Sequence, residues 1–104
     1  MQKQDELAII RAKLANGRQH ELAFNVLEEN AVAVGEITRK VNKLIDKKGP
    51  ELRLREVSRA LKWLAENNLA YSPNYKPEQG IKGIVYRLTP KGKDLRKFIE
   101  KIKG

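Results

Sequence analysis

The apolar residues of this chain recur mostly at helical spacing, in segments separated by Gly, Pro and Asn. Leu7, Ile10 and Leu14 stand at i, i+3 and i+7 and predict a first helix over residues 4–15, ended by Asn16 and Gly17, which both tolerate left-handed backbone. Leu22, Ala23, Val26 and Leu27 predict a second helix over 19–29, with Asn30 as its stop. The β-branched alternation of "AVAV" (31–34) suits a brief strand. A third helix over 35–47 carries Ile37, Val41, Leu44 and Ile45 and closes at "DKKGP", where lysines suit the helix dipole and the glycine a left-handed cap.

The fourth pattern is the most regular. "LRLREVSRALKWLAEN" turns Leu54, Val57, Leu61 and Leu64 inward, with Ala60 and Ala65 at the margins. Its start is open, since Pro50 suits a first helical turn and "ELRL" a short extended piece. Asn67 and Asn68 then supply a turn with positive φ, 69–72 reads as a strand, and "PNYKPEQGIKG" as a polar hairpin loop. The return strand, 84–88, puts Ile84, Tyr86 and Leu88 on one face and Val85 and Arg87 on the other. Thr89 and Pro90 start a last helix with no loop between: the threonine oxygen satisfies an orphan amide, and proline has none to lose. Leu95, Phe98, Ile99 and Ile102 form its apolar stripe. The predicted class is α+β, mostly helical: two helices, a short strand, two helices, a hairpin and a final helix.

Composition narrows what such a fold could do. At 104 residues there is room for one domain with one modest core. Without cysteine, disulfides, thiolate nucleophiles and the usual structural zinc sites are excluded. His20 is the sole histidine and reads as an exposed residue at a helix start, while Glu28, Glu29, Glu36 and Glu56 stand at ordinary surface spacings. No phosphate loop or metal motif is present, so neither enzyme activity nor a metal or cofactor is expected. No apolar run is long enough for a bilayer, and "MQKQDELAII" lacks the order of a signal peptide. A cytoplasmic protein without a membrane partner is expected.

Charge supplies the functional signal. There are 22 Lys and Arg against 13 Asp and Glu, a net charge of +9. Residues 1–46 hold seven bases and seven acids, whereas residues 47–104 hold fifteen and six. A generally lysine-rich, heat-adapted surface would not leave the first half neutral, so the second half is expected to face a polyanion.

"VGEI" (34–37), "REVSRALKWLAENNLA" (55–70) and "YRLTPKG" (86–92), in that order, resemble the winged helix-turn-helix family, most closely small PadR-like and MarR-like regulators of bacteria and archaea. Many members of that family have glycine where this chain has Asn68, and the connection between residues 45 and 57 exceeds a minimal three- or four-residue turn. The resemblance implies a winged helix-turn-helix over 18–92 with its wing at about 69–88. Flanking helices at 1–17 and 89–104 would be available for dimerisation. It also implies a fourth helix in the major groove of double-stranded DNA, with Arg55, Ser58 and Arg59 toward base edges and Arg53 and Lys62 toward backbone. In the wing, Tyr75, Lys76, Gln79 and Lys82 would meet the minor groove or phosphates. Lys91, Lys93, Arg96 and Lys97 are secondary candidates or a solvated face.

The implied function is a nucleoid-associated homodimeric transcription regulator. Its alternatives are a DNA-coating architectural or plasmid-partition protein and a protein-interaction adaptor. RNA is a less suitable polyanion, because the hairpin lacks the aromatic pair of an RNA-binding sheet. Trp63, between the buried and outward faces of the fourth helix, is expected to pack on a neighbouring helix.

Overall fold

A computed structural model describes residues 3–103; residues 1, 2 and 104, at the ends of the two flanking segments, lie outside the described residues. The helices are α1 (Lys3–Ala15), α2 (Arg18–Val26), α3 (Val34–Ile45), α4 (Leu54–Glu66) and α5 (Pro90–Lys103). Three short strands, β1 (Val32–Ala33), β2 (Ala70–Tyr71) and β3 (Val85–Leu88), form an antiparallel sheet in the order β1-β3-β2. The class and element order expected from the sequence are those observed.

One core serves all of these elements. Leu7, Ile10 and Leu14 of α1, Ala23 and Phe24 of α2, and Val34, Ile37, Val41 and Ile45 of α3 are buried with Val57, Ala60, Leu61 and Leu64 of α4. In β3 the two-residue period holds: Tyr86 and Leu88 point inward, Arg87 points out, and Val32 and Ala70 are the cross-strand partners of Tyr86 and Leu88. Leu95 of α5 closes the core, and α5 also packs on α1.

Several boundaries differ from the pattern for identifiable reasons. Helix α2 stops at Val26 and Leu27 is extended, because the Arg96 guanidinium of α5 donates to the carbonyls of Phe24 (2.6 Å) and Leu27 (2.9 Å). That cap takes the place of another helical turn. Gly17 is not left-handed; at φ −121° and ψ 105° it is the N-cap of α2. After α3 the left-handed positions are Asp46 (φ 41°) and Lys47 (φ 65°) rather than Gly49. Leu44 and Ile102 are more than half exposed, since each lies on the outer side of a helix whose inner side is already filled. Ala60 is fully packed rather than marginal, and residues 51–53 lie outside any helix, with Arg53 extended, so α4 begins at Leu54 with Arg53 as its N-cap.

The join between β3 and α5 is as abrupt as the sequence suggests. Helix α4 ends in a Schellman-type closure, with Leu69 N–H donating to Leu64 O (2.8 Å), Asn68 N–H donating to Ala65 O (3.0 Å), and Asn68 left-handed at φ 62°. The Thr89 hydroxyl donates to Asn68 O (2.6 Å) and accepts from Gly92 N–H (2.9 Å), while Thr89 N–H donates to Leu69 O (3.2 Å). Gly92 has to be glycine here: a Cβ would lie 2.5 Å from Leu69 O and 2.7 Å from a Leu88 methyl. Gly92→Ala is therefore expected to lower the unfolding free energy by about 1–3 kcal/mol, read by urea denaturation. An unchanged midpoint would show that the corner can open without cost.

Candidate nucleic-acid interface

The start of α4 is set by side-chain hydrogen bonds across the turn that precedes it. Asn42 of α3 pairs with the backbone of Leu52 in both directions, its amide donating to the carbonyl (3.0 Å) and its Oδ1 accepting from the N–H (2.8 Å). Leu52 is thereby held in the core. Four residues on, Glu56 accepts from Arg53 N–H (3.0 Å) and satisfies one of the orphan amides at the helix entrance. With Val57, Leu61 and Leu64 inward, Arg55, Arg59 and Lys62 fall on the solvent side, as does Arg53 just before the helix; all four are exposed. Ser58 is half-buried, and its helical phase places it on the flank toward the wing.

The wing is tied to both helices. Asn74, at the mouth of the loop, accepts from Val85 N–H (2.9 Å) and donates to Gly83 O (3.3 Å), closing the hairpin where the strand ladder has ended. A single 3-10 turn at Pro77–Gln79 gives the tip its shape, and Gly80 follows it at φ 101°. At the base, Val34 N–H donates to Ile84 O (2.8 Å) and Gly35 N–H to Lys82 O (3.1 Å), so orphan amides of α3 dock the wing. Lys76, Gln79 and Lys82 share one depression with Leu54 of α4, and Tyr75 shares another with Lys62 and Tyr71. Tyr86 lines that second depression from below; burial, and then the neighbouring Tyr75, push its phenol up to about 12, which keeps it protonated.

The candidate residues thus fall on two flanks of α4. Lys76, Gln79 and Lys82 meet Leu54 on the wing side, with Tyr75 beside Lys62, whereas Arg53, Arg55 and Arg59 line a groove on the side of α2. The ion pairs found among the described residues lie elsewhere: Lys40 with Glu28, Lys91 with Glu6 (3.0 Å) and Lys93 with Glu29 (2.5 Å). Hydrogen bonding across the last pair raises the Lys93 ammonium pKa and lowers that of the Glu29 carboxyl. Among the described residues, none of Arg53, Arg55, Arg59, Lys62, Lys76 and Lys82 is ion-paired with a carboxylate. Two of the four secondary candidates on α5 are so paired, and Arg96 is committed to capping α2.

Trp63 packs on α2, where its ring stacks on His20 at 4.2 Å between centroids, 2° from parallel. His20 is accordingly half-buried and not an open surface residue. Asn42, Asn74 and Arg18, which lines the α2-side groove, were not indicated by periodicity. For Asn74 the available signal was the habit of loop asparagines of bonding nearby backbone. Arg18 carries no such local mark.

No family model matches the chain, and no curated protein matches it. Among solved structures, it is similar to the multiple antibiotic-resistance repressor (MarR) of Listeria monocytogenes, with a TM-score of 0.60 and 20% identity over 97% of this chain. The chain spans 64% of that repressor's length. The likeness establishes the fold: a mostly helical, MarR-like winged helix-turn-helix with additional helices at both ends.

Burial holds the His20 imidazole below its ordinary pKa of 6.5. The unfolded chain then binds that proton at higher pH than the folded one, so stability declines as pH falls below about 6.5 and levels off once folded His20 is protonated too. Because Trp63 is the sole tryptophan and lies against His20, its fluorescence is expected to be quenched on acidification with a midpoint below 6.5. A midpoint at or above that value would contradict the packing described.

Proposed function

We propose that the protein binds double-stranded DNA as a homodimeric transcription regulator. Helix α4 enters the major groove, and the wing lies on the adjacent minor groove or phosphates. The observation that carries this reading is the unpaired basic face of α4. Three cations at i, i+4 and i+7 repel one another by a few tenths of a kcal/mol per pair, and among the described residues none of the three is ion-paired with a carboxylate. A phosphate backbone would offset that repulsion. In this reading Arg55, Ser58 and Arg59 reach base edges, with Arg53 and Lys62 toward the backbone, and Tyr75, Lys76, Gln79 and Lys82 serve the wing contact.

The MarR-like fold supports the assignment, as does the clear separation between this face and the carboxylate-paired lysines of α5. Helices α1 and α5 pack together and each leave one large apolar residue exposed, Ile9 and Ile102, which supports their use in dimerisation. A two-fold dimer would place its two α4 helices on half-sites about one helical turn apart.

The test is a binding isotherm on a random-sequence duplex pool at several salt concentrations, followed by footprinting of the selected sequence. Affinity is expected to fall at least about a hundredfold between 50 and 200 mM salt, with two protected half-sites. Arg55→Glu with Arg59→Glu should abolish binding while the thermal midpoint moves little. No duplex binding at low salt would promote the adaptor reading, and protection spreading outward with concentration the architectural one.

A further inference from the structure

Arg18, at the first turn of α2, lies far from α4 in sequence yet lines the same open groove as Arg53, Arg55 and Arg59. Its guanidinium donates to Pro50 O (3.2 Å) and rests over Gly49, at 3.2 Å from where a Cβ would stand. Two carboxylates also line the groove. Glu56 is engaged through both oxygens, by Arg53 N–H (3.0 Å) and the Gln19 amide (2.9 Å), neither of them a guanidinium. Glu51 is exposed at the rim, and no ion pair joins it to any of the four arginines among the described residues. Four arginines therefore line one groove, and among the described residues none of them is ion-paired with a carboxylate.

Their position relative to the wing is informative. In helical phase, Leu54, Ser58 and Lys62 lie toward the wing, whereas Glu56, Arg59 and Trp63 lie toward α2. Arg18 and the wing lysines consequently stand on opposite flanks of α4. A helix seated in a major groove, about 12 Å wide, has one phosphate strand along each side. The wing accounts for one of them.

We infer that Arg18 and Arg53 form a phosphate clamp for the DNA strand on the side of α4 away from the wing. The clamp rests on the duplex-binding reading and adds to it a residue of α2, outside α4 and the wing. Its ligand is a backbone phosphodiester, so it contributes affinity and register but no base preference. The bond from Arg18 to Pro50 O ties the clamp to the connection that launches α4, which keeps the contacted phosphate and the bases read by Arg55 and Arg59 in fixed relation.

The experiment compares the wild-type chain with Arg18→Gln, Arg18→Lys and Lys13→Gln on a selected duplex and on unrelated duplexes, across a salt series. Arg18→Gln is expected to weaken binding by a similar factor on every sequence and to reduce the slope of log affinity against log salt by about 2 for the dimer, about 1 for each protomer. Arg18→Lys should restore the slope. Lys13→Gln, which removes the same charge from an exposed position of α1, should leave it unchanged. An unchanged slope in Arg18→Gln, an equal loss in Lys13→Gln, or a changed order of sequence preference would each overturn the clamp. Failure of the wild-type chain to bind any duplex would instead overturn the functional reading on which it rests.

Discussion

One hydroxyl group, that of Thr89, ties together the end of α4, the end of β3 and the start of α5. It donates to the carbonyl of Asn68, the left-handed residue that terminates α4, and accepts from the amide of Gly92 in the first turn of α5. A threonine cap contributes about 1 kcal/mol in general. Its importance here lies more in geometry than in energy. The angle at which the wing leaves α4 is decided at this corner, where Gly92 lets α5 approach the Leu69 carbonyl closely. Tyr86, two residues along β3 from Leu88, then carries that angle into the centre of the sheet.

A second set of hydrogen bonds fixes the other end of α4, through Asn42 and Leu52 before the helix and Glu56 within it. With both ends fastened and a core of Val57, Leu61 and Leu64 beneath, the outward face is free to carry residues that add nothing to folding. That freedom explains how Arg55, Arg59 and Lys62 can share one face. Lys40, Lys91 and Lys93, by contrast, are each paired with a carboxylate.

What could be read from the sequence was local. The Thr-Pro cap, the asparagine at a positive φ, the alternation of Ile84, Tyr86 and Leu88, and the inward line of Val57, Leu61 and Leu64 in α4 each depend on residues a few positions apart, and each is found as expected. What could not be read depends on distant partners. Helix α2 ends early because Arg96 reaches back from α5, α4 starts where Asn42 pins Leu52, and Arg18 joins the basic groove by packing beside Pro50. No periodicity reports such bonds, since the partners lie 10 to 72 residues apart. The candidate base-reading residues were legible as a charged face on a helix, but their division between two flanks required the fold.

The central claim is that the outward face of α4 and the wing are the surface that meets DNA. Titration of the isotopically labelled protein with a selected duplex, followed by backbone amide NMR shifts, tests it most directly. The largest changes are predicted at residues 53–62 and 74–83, with the exposed side of α5 little affected. Shifts concentrated on α5, with α4 and the wing unmoved, would contradict it.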